Sequence, residues 1–259
     1  MESIAKLPDY FKYDMSHKRR GFALIINNEH FMNLPEREGS SIDTQEMRIA
    51  LEHLGFEVIV YHNQTVKEMK DLLNDMASKD HTDNDCFLLV ILSHGNKEDI
   101  LYGTDDNAVT LEEIIKPILP GKCKSLIGKP KLIFVSACRG ENLDKGIDVC
   151  DAKDVTNECE THWHKLPLWA DVLIGFGTMS GFYSWRTPSQ GTWFIQALTA
   201  VFMNYGHWME LHTMLTLVNN KVANNFESLT SDSTWNGMKQ IPCISSMLTK
   251  QVYFLPKQT

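Results

Sequence analysis

No stretch of this sequence reaches the roughly 20 consecutive apolar residues that a helix needs to cross a bilayer. The longest apolar run, Cys86 to Leu92, has the length of a buried strand. The amino-terminal residues lack the apolar block of a secretory leader, so a cytoplasmic protein is expected. Positive charge is in deficit: 25 Lys and Arg against 33 Asp and Glu give a formal net charge of -8, and the Lys18-Arg19-Arg20 cluster is too short to reverse it. Nucleic acid and anionic membranes both require a basic field, so neither is an expected partner. Paired cysteine spacing is missing too. Six cysteines in 259 residues without an export signal argue against a disulfide framework and leave free thiols for chemistry. There is no internal repeat and no low-complexity tract. What remains is 43% hydrophobic and 22% charged, enough apolar side chain for a sizeable core and, by its length, for one domain.

Hydrophobic spacing divides the chain into alternating strands and helices. Gly21 to Asn27 reads as the first strand. Met47, Ala50, Leu51 and Leu54 then recur at helical spacing, Gly55 supplies a stop, and Glu57 to Tyr61 is β-rich. Thr65 and Glu68 form a capping box ahead of Met69, Leu72, Leu73 and Met76, and the strand Cys86 to Leu92 follows. A third unit opens on Thr110 and Glu113, carries Ile114, Ile115 and Ile118, and leads to the strand Leu132 to Val135. Further on, the strand Val172 to Phe176 precedes two amphipathic helices, one built on Phe194, Leu198, Val201 and Phe202, the other on Leu211, Met214, Leu215 and Val218. Gln251 to Leu255 is expected to close the chain as a strand. Such alternation implies an α/β fold with a mostly parallel sheet covered on both faces. The first twenty residues read as an arm, and from Gly140 to Leu166 the periodicity stops. A patternless segment that long inside a compact domain is usually functional.

Two segments share one design, an apolar strand ending in a residue with catalytic potential and then a glycine. They are Leu88-Leu89-Val90-Ile91-Leu92-Ser93-His94-Gly95 and Leu132-Ile133-Phe134-Val135-Ser136-Ala137-Cys138-Arg139-Gly140. The carboxyl ends of strands form the binding rim of a parallel sheet, so His94 and Cys138 are expected at the same edge. A thiol and an imidazole meeting there make a nucleophile and its acid/base partner. Gly95 leaves room for backbone N–H groups to approach an oxyanion. Taken singly, a strand-end cysteine is more often an inert small hydrophobe and a turn histidine a surface residue.

Ser93-His94-Gly95 followed by Ala137-Cys138-Arg139-Gly140 resembles the caspases, for which an Ala-Cys-x-Gly signature with an upstream histidine is known. The likeness extends from Gly21-Phe22-Ala23-Leu24 through Lys129-Pro130-Lys131-Leu132, Tyr183-Ser184-Trp185-Arg186 and Trp193-Phe194-Ile195-Gln196 to Gln240-Ile241-Pro242-Cys243, and is nearest to the short-prodomain executioner members. The resemblance implies a caspase-like three-layer sandwich, a six-stranded mostly parallel sheet flanked by helices. It implies an aspartate-specific cysteine endopeptidase of apoptosis with no cofactor. Arg37 and Arg186 match the basic pocket for the substrate's P1 aspartate, and guanidinium forks suit a carboxylate at every relevant pH. Tyr183, Trp185, Trp193 and Trp235 match the aromatic S2 and S4 subsites. Ser136 departs from the pattern, standing where the family usually has a glutamine that helps to hold the P1 carboxylate. Thr187 likewise replaces an asparagine that contacts the P4 side chain in some executioner members.

The patternless segment matches the family's intersubunit linker, and Asp148-Val149-Cys150-Asp151-Ala152 places acids at P4 and P1 of a cut after Asp151. The implied organisation is an arm over 1–20, a large subunit over 21–151, a linker remainder over 152–166 and a small subunit over 167–259. A homodimer is implied, with protein substrates carrying Asp at P1, an upstream initiator caspase and inhibitor-of-apoptosis proteins as partners. Three other readings compete. A catalytically weak homologue acting as a regulatory partner or decoy is favoured by Ser136 and opposed by His94, Cys138, Arg37 and Arg186. A paracaspase or metacaspase, cutting after basic residues, would need acidic pocket positions. Metal binding by Cys150, Cys159, His162 and His164 fits no common zinc spacing.

Overall fold

The structure, a computed structural model, describes residues 8–140, 142–144, 167 and 169–257. In chain order its elements are β1 (Phe22–Asn27), α1 (Ser40–His53), β2 (Glu57–His62), α2 (Val66–Ser78), β3 (Phe87–Leu92), β4 (Gly95–Asn96), β5 (Ile100–Tyr102), β6 (Ala108–Thr110) and α3 (Leu111–Ile115). They continue with β7 (Lys131–Ser136), β8 (Val172–Phe176), β9 (Arg186–Thr187), β10 (Gly191–Thr192), α4 (Trp193–Tyr205), α5 (Leu211–Asn225) and β11 (Cys243–Ser246). Local chemistry explains the helix ends. Thr65 with Glu68 and Thr110 with Glu113 close reciprocal capping boxes at the starts of α2 and α3. Gly55 takes a φ of 88° just past α1, the left-handed turn that lets Phe56 N–H reach back to the Leu51 carbonyl at 3.0 Å.

Six strands form the central sheet in the order β11-β8-β7-β3-β1-β2, parallel except for β11, which runs antiparallel to β8. Strand alternation sends successive residues to opposite faces and so divides the core. Ala23, Ile25, Leu88 and Val90 pack under α1, α4 and α5, against Met47, Leu51, Phe194, Leu198 and Met214. Leu24, Ile26, Leu89 and Ile91 pack under α2 and α3, against Met69, Leu73, Ile114 and Ile115. The arrangement is the expected three-layer α/β sandwich. β4, β5 and β6 add a small antiparallel sheet directly after β3.

One expected strand is corrected. Gln251 to Leu255 does not join the sheet; its sixth strand is Cys243–Ser246. The alternation in Gln251 to Leu255 is real, since Val252 and Phe254 are fully buried in the α1, α4 and α5 layer. Its backbone partners, however, are the arm, through Tyr13 N–H to Gln251 O at 3.0 Å and Gln251 N–H to Phe11 O at 2.6 Å, and Leu211 N–H, which donates to Val252 O.

The same region of the fold accounts for Arg20 of the Lys18-Arg19-Arg20 cluster. Arg20 is buried, and its Nη1 donates to Asp85 at 2.8 Å beside the amino end of β3. Asp85 also meets Lys257 and, at 3.2 Å, His17 Nδ1. A buried carboxylate thus ties the arm, the central strand and the carboxyl-terminal segment together. Because removing one partner strands a charge in the core, Asp85→Ala is expected to lower the unfolding free energy by ~3–5 kcal/mol in urea denaturation. Lys67→Ala, which breaks an exposed pair with Asp71, should leave the midpoint where it was. Equal effects from the two variants would remove Asp85 from this role.

Candidate active site

Strand register sets the distance between the two candidate catalytic residues. Leu92 of β3 pairs with Ser136 of β7, Ser93 N–H donates to Ser136 O at 3.3 Å, and each chain continues two residues past the pair, to His94 and to Cys138. Gly95 shows how closely the two loops pass: a Cβ there would stand 2.6 Å from the Cys138 carbonyl oxygen and 2.9 Å from the Ala137 Cβ. Only glycine fits that approach. Ser93 anchors its own loop, its hydroxyl donating to Tyr102 O at 2.6 Å, while Asn28 Nδ2 donates to the same carbonyl at 3.2 Å.

The hydrogen bonds of His94 fix its tautomer. Nε2 lies 2.7 Å from the Pro35 carbonyl oxygen, which can only accept, so Nε2 carries the proton and Nδ1 is left as the basic nitrogen. The ring also packs against Phe31, centroids 4.7 Å apart. Burial, helped by the positive charge of Arg37 and Arg186, pulls the imidazole below its ordinary pKa despite the Pro35 bond. Burial pushes the Cys138 thiol up, against a backbone hydrogen bond with Ser184 and the pull of the same two arginines. At neutral pH the two groups are therefore a neutral thiol and a neutral imidazole lining one cavity.

A cavity of about 100 Å³ opens beside the thiol, with Arg37, His94, Ser136, Cys138, Arg186 and Thr192 among its lining residues. Arg37 comes from the loop between β1 and α1, is 2% exposed, and is held by Nη1 donating to Asn28 O at 3.0 Å. Burial and the neighbouring Arg186 lower it to about 10, so it stays cationic at neutral pH. Arg186 comes from β9. No carboxylate is among the described residues that line the cavity, which leaves two guanidiniums converging on a space with room for one small anionic side chain. Ser136 is buried, and its hydroxyl donates to Thr192 Oγ1 at 3.3 Å.

The four aromatic residues singled out by sequence come together. Trp185 stacks on Trp193 with centroids 5.5 Å apart and an interplanar angle of 15°, while Tyr183 and Trp235 meet Trp185 edge-on. Trp185 and Trp193 line a second, larger groove with Thr187, Phe226 and Leu229; Tyr183 lines the arginine cavity. Gln240 holds this cluster in place, accepting from Trp185 N–H at 2.7 Å and donating to Gly177 O at 2.6 Å. Sequence reasoning missed Thr192, Asp43 and the part played by Gln240, because each acts through a partner at least 50 residues away in the chain. Asp151, with Cys150, Cys159, His162 and His164, lies outside the described residues.

Comparison with known proteins agrees with this geometry. The family model described as Caspase domain matches residues 20–253. Caspase-7 of Gallus gallus is 40% identical over 249 residues, covering 94% of this chain and 80% of that protein. Caspase drICE of Drosophila melanogaster is 40% identical over 250 residues, 95% of this chain and 73% of that protein. The crystal structure of Caspase-1 from Spodoptera frugiperda superposes with a TM-score of 0.88 at 36% identity, over 98% of this chain and 99% of its own.

The protonation state is open to direct measurement. Since burial holds Cys138 as a thiol, its alkylation by iodoacetamide should accelerate as pH rises from 7 to 9, while buried Cys86, pushed up to about 12, stays unmodified. Peptide mass spectrometry over a time course measures both rates. Alkylation of Cys138 that is fast and flat down to pH 6 would mean a preformed thiolate–imidazolium pair instead.

Proposed function

The chain belongs to the caspase family, and from that premise we propose that it is an executioner-type endopeptidase in which Cys138 and His94 perform the cleavage and Arg37 and Arg186 select aspartate. Membership makes it a cysteine peptidase that cuts after Asp. One observation carries the assignment of roles: the β3–β7 register that delivers an imidazole and a thiol to the mouth of a cavity walled by two arginines.

In this reading the P1 aspartate enters the arginine cavity and brings its carbonyl carbon over Cys138 Sγ. His94 Nδ1 takes the thiol proton as sulfur attacks, and the N–H groups of Gly95 and Cys138 stabilise the oxyanion. The same proton passes from His94 to the departing amine. Water, with His94 now as base, hydrolyses the thioester and frees the enzyme. Tyr183, Trp185, Trp193 and Trp235 bind the residues that precede P1. Ser136 is too short to replace a glutamine amide at the P1 carboxylate, and the missing charge-assisted hydrogen bond costs about 1.5–3 kcal/mol of substrate binding unless water takes its place.

The proposal extends to maturation. The chain is made as a zymogen, cut after Asp151 into a large subunit over 21–151 and a small subunit over 167–259, with 152–166 as linker remainder. It pairs as a homodimer along the edge strand β11, and takes an initiator caspase and inhibitor-of-apoptosis proteins as regulators. Ser136 is the observation that favours the second reading, a weakly active homologue that regulates a relative, and kinetics separate the two.

A panel of fluorogenic tetrapeptides differing at P1 and P4 is the deciding experiment. Turnover should require Asp at P1 and vanish in Cys138→Ala, along with self-cleavage on expression; a folded wild-type protein that turns over no member of the panel would favour the regulatory homologue. Mass spectrometry of the matured wild-type protein should find a new amino terminus at Ala152. A terminus after Asp148 or Asp154 would move the processing site and leave the enzyme class intact.

A further inference from the structure

Behind the two cavity arginines lies a carboxylate that the cleavage chemistry does not use. Asp43, in the first turn of α1, is 1% exposed. Its Oδ1 accepts the Thr192 N–H at 2.8 Å, at the point where β10 ends and α4 begins. Its Oδ2 has no hydrogen-bond partner among the described residues. A buried carboxylate oxygen without a partner is costly unless nearby charge compensates it. Arg37 and Arg186 both act on this group. Burial raises it to about 6, so it remains largely ionised at neutral pH.

Two glycines record how tightly the β9–β10 hairpin sits on this helix end. Gly191, with a φ of 85°, has no room for a Cβ because Asp43 Oδ1 occupies that place. Gly39, with a φ of 84°, stands just before α1, and a Cβ there would collide with the Pro188 carbonyl. The hairpin carries Arg186, and the loop leading into α1 carries Arg37. Asp43 therefore sits at the seam between the two walls of the cavity. Ser136, through its bond to Thr192 Oγ1, ties the third wall to the same point.

We propose that Asp43 is a positioning residue for aspartate selection: by accepting the Thr192 N–H and so pinning the hairpin, it holds Arg186 opposite Arg37 before substrate arrives. This inference rests on the reading of the cavity as the P1 pocket. A pocket assembled in advance spends none of the substrate's binding energy on drawing its walls together. Asp43 touches neither the thiol nor the scissile bond, so its loss falls on KM and spares kcat.

The test compares three variants of the full chain with the wild type, all matured, on a fluorogenic tetrapeptide with Asp at P1. Asp43→Ala removes both acceptor and charge, and is expected to raise KM ~10-fold with kcat within ~3-fold of wild type. Asp43→Asn keeps an oxygen for the Thr192 N–H and should recover most of that loss. Arg186→Lys should raise KM whatever happens at position 43. A folded alanine variant with wild-type KM overturns the proposal, and so does an asparagine variant as impaired as alanine or a loss confined to kcat. An unchanged KM in Arg186→Lys instead sinks the reading of the cavity as the P1 pocket. Should the alanine chain fail to fold, Gly191→Ala drives a methyl against the same carboxylate from the hairpin side; it carries the same KM expectation, and wild-type KM there overturns the proposal equally.

Discussion

The pairing of Leu92 with Ser136 is the constraint from which the site follows, because it sets two loops side by side at the carboxyl edge of the sheet and leaves each the same number of residues to reach its functional group. A slip of one residue in either strand would turn every buried side chain of β3 or β7 to the wrong face. Both strands are buried along their whole length, so the core enforces the register that brings the His94 and Cys138 loops together. Gly95 is the local consequence: loops held that close leave no space for a side chain.

The second constraint is charge. Two guanidiniums near one cavity, one of them almost wholly buried, repel each other and lose hydration. The fold offsets this with backbone carbonyls on Arg37 and with Asp43 behind the seam. The compensation stops short of neutrality: two cations line the cavity and one carboxylate stands behind it. The same cations act on the two groups at the cavity mouth: they oppose the rise at Cys138 and deepen the fall at His94.

Away from the site, the fold is closed by long-range polar joins. Asp85 gathers Arg20, His17 and Lys257, and Asp171 accepts from Tyr13 OH at 2.6 Å and from Thr249 Oγ1 at 2.9 Å. Both joins fasten the arm and the carboxyl-terminal segment to the amino-terminal edge of the sheet, opposite the rim that carries His94 and Cys138. The rim is thus free to be built of loops, where residues can be exchanged without unpairing the core.

Local pattern accounts for the alternation of strands and helices, the capping boxes at Thr65 and Thr110, the buried character of β3 and β7, and the presence of His94 and Cys138 at strand ends. Those features are written in side-chain periodicity and in contacts between residues three or four apart, so a linear reading reaches them. The same reading placed a last strand at Gln251 to Leu255, because alternation reports only that one face is buried and not which backbone lies alongside. Tertiary structure alone decided that β11 forms the sheet edge, that Arg20 belongs to the core, and that Trp185 stacks on Trp193. It alone joined Asp43 to Thr192 across 149 residues. A hydrogen bond between groups that far apart leaves no local pattern, since neither residue's neighbours need change for it to form; only the folded chain brings donor and acceptor within reach.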